Sequence, residues 1–194
     1  MRLLTYDDGS GAHAGIQVEH RVVAAASLGA PADSVKGLLQ ALDAAGLAAL
    51  GERANKATES MPLADLRLLP PIPDPEKVIC LGLNYRDHAE ETGQEIPTAP
   101  MWFAKFASSL IGSGGEIVMP AAHAEYVDYE AELALVIGRR AKNVGAEDAL
   151  SHIAGAMAFN PPPDAALAAG DILIAIGHKD QLEQLASLAN PLEV

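Results

Sequence analysis

Tyr126-Val127-Asp128-Tyr129-Glu130-Ala131-Glu132-Leu133-Ala134-Leu135-Val136-Ile137 is the clearest strand pattern in the sequence. Apolar and acidic side chains alternate through its first half, with the period of two that is typical of a β-strand. Because successive side chains of a strand point to opposite faces, Asp128, Glu130 and Glu132 share one face. The segment therefore predicts a strand over residues 126–137 with an acidic face.

The acidic face has two interpretations. Carboxylates at successive positions on one face of a strand lie about 6.5–7 Å apart and repel each other. Water relieves that repulsion on an exposed sheet face. A divalent cation bound by Glu130 and Glu132 also relieves it, and oxygen donors suit Mg²⁺, Mn²⁺ or Ca²⁺ rather than zinc. The spacing alone favours the solvated face.

A second candidate site is the acidic turn Asn84-Tyr85-Arg86-Asp87-His88-Ala89-Glu90-Glu91, which follows an apolar strand predicted at 77–83. On a helix over 85–91, His88 and Glu91 are three residues apart and lie on one face. A carboxylate beside an imidazole raises its basicity, as a general base requires. The alternative, favoured by this pattern alone, is an ordinary surface pair. The other histidines have no comparable setting, and we expect them to be surface or packing residues.

Composition excludes several classes of protein. The 194-residue chain has 13 basic and 26 acidic residues and a net charge of −13, which repels phosphate backbones and predicts no nucleic-acid partner. No apolar run approaches the roughly 18 residues that a membrane-spanning helix needs, so we expect no membrane partner. The single cysteine, Cys80, excludes an internal disulfide. Together with the lack of a signal-peptide pattern, it predicts a cytoplasmic protein.

Hydrophobic period and turn residues predict the remaining organisation. Strands are predicted at 2–6, 16–18, 21–25, 101–105, 116–119 and 153–159, and helical segments at 35–44, 45–56 and 146–152. Ser34 is the predicted N-cap of the first helix. Four prolines within residues 70–75 predict a stiff linker. We therefore expect an N-terminal α+β unit over 1–70, a second domain over 71–160 and a tail over 161–194.

Three groups of motifs, taken in order, resemble those of the fumarylacetoacetate hydrolase family. They are Pro73-Asp74-Pro75-Glu76-Lys77-Val78-Ile79-Cys80-Leu81-Gly82-Leu83-Asn84-Tyr85 followed by His88 and Glu91, Pro97 with Phe103-Ala104-Lys105, and Asp128-Tyr129-Glu130-Ala131-Glu132 with Ile137-Gly138. No single motif is specific, but the ordered set is highly specific. The resemblance runs from about residue 1 to Asn160. It implies an α+β fold, a mixed β-sandwich or roll of the family type that is incomplete in this chain.

The resemblance also implies roles for individual residues. Glu130 and Glu132 become metal ligands, with Mg²⁺ as the expected ion and Mn²⁺ or Ca²⁺ as alternatives. His88 and Glu91 become a water-activating pair on a lid-like helix. Lys105 keeps two interpretations: it pairs with a substrate carboxylate, or it is a solvated lysine at a strand end.

The family resemblance implies a small carboxylate-bearing substrate, either a 2-oxo acid or a 1,3-dicarbonyl compound. An enolate stabilised by the metal can form in hydrolysis of a carbon–carbon bond, in decarboxylation or in keto–enol isomerisation. The sequence does not indicate which of these three reactions takes place. Relatives are commonly homodimers, so we expect a homo-oligomer. The alternative function is a non-catalytic ligand-binding or interaction module derived from the family.

The sequence departs from the family pattern after Asn160. The family places a third metal-binding Asp at the next position, where this chain has Pro161-Pro162-Pro163-Asp164. We therefore expect weaker metal binding and impaired activity. The tail, with an apolar strand predicted at 172–176 and a helix at 180–188, resembles the end of the C-terminal regulatory domain of potassium-transport regulators. The sequence thus predicts a composite chain joined near residue 160.

Overall fold

A computed structural model describes residues 1–118, 121–122 and 132–159 of the chain. These residues form two compact units. One unit holds Met1–Ile72 together with the described residues from 112 onward, and the other is Pro73–Ile111. The predicted domain boundaries at 70 and 160 stay predictions, and the tail over 161–194 lies outside the described residues. Within the described ranges, no helix has the length and apolar character to cross a membrane.

The protein is a mixed α+β chain whose described strands pair antiparallel. The strands are β1 (Arg2–Asp7), β2 (Ala12–Val18), β3 (Arg21–Ala24), β4 (Met61–Pro62), β5 (Arg67–Leu69), β6 (Val78–Gly82), β7 (Met101–Lys105), β8 (Glu132–Ile137) and β9 (Ile153–Phe159). The α-helices are α1 (Val35–Ala41), α2 (Ala44–Lys56), α3 (Arg86–Glu91) and α4 (Ala146–Ala149).

The N-terminal residues form a five-stranded sheet in the order β4-β3-β2-β1-β5. One face carries Leu3, Ile16 and Val23, which are fully buried against α1 and α2. The other face carries Leu4 and Tyr6. It is covered by partly buried side chains from the segment around β4 and β5: Met61, Leu63, Leu66 and Leu68. The strands predicted at 2–6 and 21–25 are confirmed within one residue, whereas the strand predicted at 16–18 begins at Ala12, and β4 and β5 were not predicted.

The helices α1 and α2 begin at side-chain caps. Ser34 Oγ accepts the backbone N–H of Gly37 at 3.1 Å, which confirms the predicted cap. Asp43 Oδ1 accepts the N–H of Gly46 at 2.8 Å. Both predicted helices are present, but the boundary predicted between residues 44 and 45 was wrong, because α1 ends at Ala41 and Asp43 caps α2. An aspartate side chain satisfies a free N–H group in the first turn of a helix, and this capping preference sets the start of α2.

The unit Pro73–Ile111 is built on an antiparallel pair, β6 and β7, with α3 in their connection. The register places Cys80 opposite Phe103 and Gly82 opposite Met101. The strand predicted at 101–105 is confirmed at both ends, and the strand predicted at 77–83 is one residue shorter at each end.

The strands β8 and β9 also pair antiparallel, with a register shift between Val136 and Ile137. The strand predicted at 153–159 is confirmed. Of the strand predicted at 126–137, the structure describes Glu132–Ile137 as strand, and residues 126–131 lie outside the described ranges. The segment predicted as a helical turn forms α4 and a 3₁₀ turn, Leu150–His152.

The strand predicted at 116–119 was wrong in its described part, residues 116–118, which form no strand. The turn just before it is closed by a hydrogen bond from Gly115 N to Gly112 O at 3.0 Å. Ile117 and Val118 are 61% and 87% exposed. High β-propensity produces a strand only where a neighbouring strand accepts its hydrogen bonds, and no described strand pairs with these residues.

Candidate functional site

Four of the five predicted site residues lie within the described part of the chain, on three elements. His88 and Glu91 lie on α3, and Lys105 is the last residue of β7, all within the unit Pro73–Ile111. Glu132 is the first residue of β8, in the other unit. Glu130 lies outside the described residues. The roles of all five residues stay predictions.

The helix α3 presents His88 to solvent. Ala89 is 1% exposed and anchors the helix, whereas His88 is exposed. The backbone at His88 is held on both sides, because its N–H donates to Asp87 Oδ1 at 3.0 Å and its carbonyl accepts Thr92 Oγ1 at 2.7 Å. These bonds order the backbone within α3, and the exposed imidazole is accessible to a small molecule.

His88 and Glu91 share α3, as the sequence predicted. Their side chains are not joined by a hydrogen bond or an ion pair among the contacts of the described residues. The spacing of three residues keeps the carboxylate within reach of the imidazole on one helix face. A water-activating pair therefore requires a change of side-chain rotamer, which exposed side chains make readily.

Lys105 lies at the end of β7, opposite Val78 in the register. Its Nζ atom is 5.6 Å from the centre of the Phe103 ring. Residues two apart on a strand share a face, and the face of an aromatic ring attracts an ammonium group. The ring therefore orients the Lys105 ammonium without neutralising it. Lys105 is exposed at the end of its strand, so both interpretations, a solvated lysine and a residue that meets a carboxylate, stay open.

Glu132 is partly buried at the start of β8, where its register partner is Phe159. Carboxylate oxygens are suitable ligands for a hard divalent cation. Over the described ranges, no group of three or more His, Cys, Asp or Glu side chains is placed to hold a metal. Glu130, the other predicted ligand, lies outside those ranges. The chemistry of Glu132 fits the expected ion, and the complete ligand set stays a prediction.

The sequence prediction missed a polar network around His13. The Nδ1 atom of His13 lies 2.7 Å from Asp33 Oδ2, and its Nε2 atom lies 2.9 Å from Ser10 Oγ. The Ser10 hydroxyl donates to Asp8 Oδ1 at 2.7 Å. The hydrogen bond to Asp33, with the negative charges of Asp33 and Asp8, raises the pKa of His13. Asp33 is far from His13 in the sequence, so no local motif reveals the pair.

The distances in this network resemble those of a Ser–His–Asp triad, but the direction of the serine hydrogen bond differs. A triad serine donates its proton to the imidazole, whereas Ser10 donates to Asp8. Two ring N–H groups of a protonated His13 then donate to Asp33 and to the Ser10 hydroxyl. We therefore assign the network a structural role: it ties the β1–β2 hairpin to the residues just before α1.

The ordered motifs lie in a segment that matches a known protein family. Residues 77–175 match the family profile described as fumarylacetoacetate (FAA) hydrolase C-terminal. The match covers more than half of the 194 residues, and the chain belongs to the fumarylacetoacetate hydrolase family. The matched range contains all five predicted site residues and extends past Asn160, where the motif resemblance ended.

Individual relatives are enzymes that act on small organic acids. Over 95 residues the chain is 44% identical to oxaloacetate tautomerase FAHD2A, mitochondrial, of Homo sapiens, covering 49% of this chain and 30% of the relative. A solved structure of maleylpyruvate hydrolase from Sphingobium sp. SYK-6, in complex with manganese(II) ion and pyruvate, is similar with a TM-score of 0.62 and 28% identity, over 81% of this chain and 57% of that one. The structure of 5-carboxymethyl-2-hydroxymuconate delta-isomerase from Mycobacterium smegmatis is similar with a TM-score of 0.55 and 31% identity, over 81% of this chain and 53% of that one.

The chain thus spans about a third of the length of the human relative and just over half of the two solved structures. The named relatives comprise a hydrolase, an isomerase and a tautomerase, and the manganese complex indicates divalent-metal use within the family. The resemblance of the tail to a potassium-transport regulator stays a prediction.

Proposed function

We propose that the chain is a metal-dependent enzyme of the fumarylacetoacetate hydrolase family that forms enolates of small 2-oxo acids or 1,3-dicarbonyl compounds. The observation that carries the proposal is the family match over 77–175, which contains every predicted site residue. The relatives are named as a tautomerase, a hydrolase and an isomerase, and all three kinds of reaction can proceed through an enol or enolate of the substrate. This common stage supports the substrate class.

His88 is the proposed general base. A neutral imidazole can take a proton from water or from the carbon next to a carbonyl. Its exposure on α3 leaves it accessible, and Glu91 on the same helix can fix its tautomer when the two side chains meet. In this proposal His88 moves the proton and Glu91 orients the ring.

Lys105 is proposed to bind a substrate carboxylate. The Phe103 ring holds the ammonium group on one face of β7. An ammonium meeting a carboxylate fixes the substrate relative to the base, and such positioning lowers the barrier of a proton transfer. The expected partner is therefore a small oxo acid that carries at least one carboxylate.

Glu130 and Glu132 are the proposed ligands of a divalent cation, Mg²⁺ or Mn²⁺. When bound, the cation supplies Lewis-acid stabilisation of the negative charge that develops on the substrate oxygen. Glu132 offers the right donor chemistry at the start of β8. Manganese in the maleylpyruvate hydrolase relative supports this choice of ion.

Assembly and location belong to the same proposal. Exposed apolar side chains on β6 and β7, including Ile79 and Trp102, form a surface of the kind that proteins cover by association. A homo-oligomer, a homodimer first, is therefore proposed, and its mass by light scattering tests it. A cytoplasmic location remains our expectation.

An assay of the full chain with Mn²⁺ tests the proposed function. Enol–keto conversion of oxaloacetate and cleavage of an acylpyruvate are followed for wild type, His88→Gln and the control His20→Gln, which alters an exposed histidine of the β2–β3 turn. We expect turnover in wild type and the control, and a loss of at least about a hundredfold in His88→Gln. Metal and substrate binding without turnover would instead support the non-catalytic module.

A further inference from the structure

Leu83 adopts a left-handed backbone conformation, with φ of +50°. Two other non-glycine residues of the described chain share it, Glu19 at +54° and Asn143 at +53°. Asparagine tolerates this region through local hydrogen bonds of its short side chain. A leucine has no such compensation, and positive φ is a genuine outlier for a bulky side chain.

Leu83 lies between Gly82 and Asn84. Glycine and asparagine both adopt a positive φ more readily than leucine does. Gly82 is the last residue of β6 and pairs with Met101, and α3 starts at Arg86. Three residues must therefore turn the chain from strand to helix, and the fixed register places the turn on Leu83. The surrounding structure, and not the local preference of the sequence, selects this conformation.

The helix that follows depends on this turn. It is six residues long, and its N-cap residue, Tyr85, makes no side-chain capping hydrogen bond. Ala89 is its buried residue. Short helices are marginal by themselves, so the direction in which the chain enters α3 sets where its side chains lie.

We propose that Leu83 is a positioning residue, whose left-handed turn fixes α3 and therefore the place of His88. The left-handed region open to an L-residue is small, whereas glycine occupies most positive φ values. Leucine thus fixes the angle between β6 and α3 more narrowly than glycine does, at the expense of stability. Backbone outliers of this kind cluster at functional sites. The inference rests on the proposed role of His88 as general base.

The matched variants Leu83→Ala and Leu83→Gly test the inference. Both remove the leucine side chain, but only glycine widens the allowed backbone. We expect Leu83→Gly to be at least as thermally stable as Leu83→Ala, while its kcat is about tenfold lower at unchanged KM, because a small misplacement of a reacting group slows catalysis strongly. A residue that acted only through packing would give equal kcat in the two variants, and that result overturns the inference.

Glu19→Gly is the control, because it makes the same backbone change in the β2–β3 turn. It is expected to raise the melting temperature and leave kcat unchanged. Hydrogen exchange of the peptide containing α3 gives a readout independent of turnover, with faster exchange expected in Leu83→Gly than in Leu83→Ala. An inactive wild type would refute the proposed function. Equal exchange in the two variants would refute the positioning role whether or not the chain is active.

Discussion

The imidazole Nδ1 of His13 lies 2.7 Å from Oδ2 of Asp33, and this contact joins two segments twenty residues apart. Asp33 also accepts the N–H of Ala14 at 3.2 Å through its other oxygen. One carboxylate thereby holds both a side chain and the backbone of β2. The contact connects the charge on His13 to the packing of the hairpin against the start of α1.

Stability is predicted to depend on pH through His13. Its pKa is raised in the folded protein, mainly by the hydrogen bond to Asp33, so folding favours the protonated ring. The contribution of His13 to the free energy of unfolding is therefore complete below pH 6.5, its ordinary pKa. It is lost as the pH rises through the higher pKa that His13 has in the folded protein. Because the side chain is partly exposed, we expect less than about 1 kcal/mol.

Asp33→Asn is the matched variant for that test, since an asparagine oxygen can still accept the Ala14 N–H. Urea unfolding of both proteins between about pH 5.5 and pH 8.5 measures the difference in unfolding free energy. The unfolding free energy of wild type should exceed that of Asp33→Asn by a margin that shrinks as the pH rises across this range. An advantage that is constant or grows with pH would contradict the assignment.

Gly15→Ala is predicted to destabilise the N-terminal sheet. A Cβ atom at Gly15 would lie 2.5 Å from Val22 Cγ1 and 3.0 Å from Leu4 Cδ1, in a face that is already filled. Overpacking of this kind typically costs about 1–3 kcal/mol. Gly82→Ala is the control, because its nearest contact would be an ordinary 3.7 Å. Chemical denaturation should show a large loss for the first variant and little change for the second.

Part of the fold was predictable from strand-forming segments next to turn residues. The strand at 101–105 follows Pro100 and the strand at 153–159 is followed by Asn160-Pro161, and both strands are confirmed. The segment at 116–118 failed because a strand needs a partner, and strand propensity carries no information about partners. The predicted boundary between α1 and α2 was placed too late in the chain, because the prediction did not use the capping preference of Asp43.

The site was predictable to a lesser degree. Local spacing correctly placed His88 and Glu91 on one short helix. It did not reveal the ring of Phe103 as the neighbour of Lys105 Nζ, although the two residues share a strand face. The His13–Asp33 contact joins distant residues, and only tertiary structure brings such pairs together.

Lys105→Gln is predicted to weaken substrate binding. The variant keeps a polar side chain and removes the charge that would meet a carboxylate. We expect KM for an oxo acid to rise about tenfold with a smaller change in kcat, because an exposed charge pair contributes mainly to binding. Lys36→Gln, at the start of α1, serves as a charge-matched control. An unchanged KM would support the solvated-lysine interpretation.

Metal binding is predicted to depend on Glu130 and Glu132 and to improve when Pro161 is replaced. Calorimetric titration of the full chain with Mn²⁺ should show binding by wild type and none by the double variant Glu130→Ala/Glu132→Ala. Glu52→Gln, an exposed glutamate of α2, should bind as wild type does. Wild type that binds no cation would refute the metal proposal.

Pro161→Asp restores the carboxylate that the family resemblance places after Asn160. A third carboxylate strengthens the binding of a hard cation, because it adds both a ligand and a negative charge. We therefore expect Mn²⁺ affinity to rise about tenfold or more, with turnover increasing in parallel. Pro162→Asp makes the same change of charge one position further on and should gain far less. Equal gains would show that the added charge acts through the general field of the protein. A gain confined to position 161 would identify it as the third ligand position.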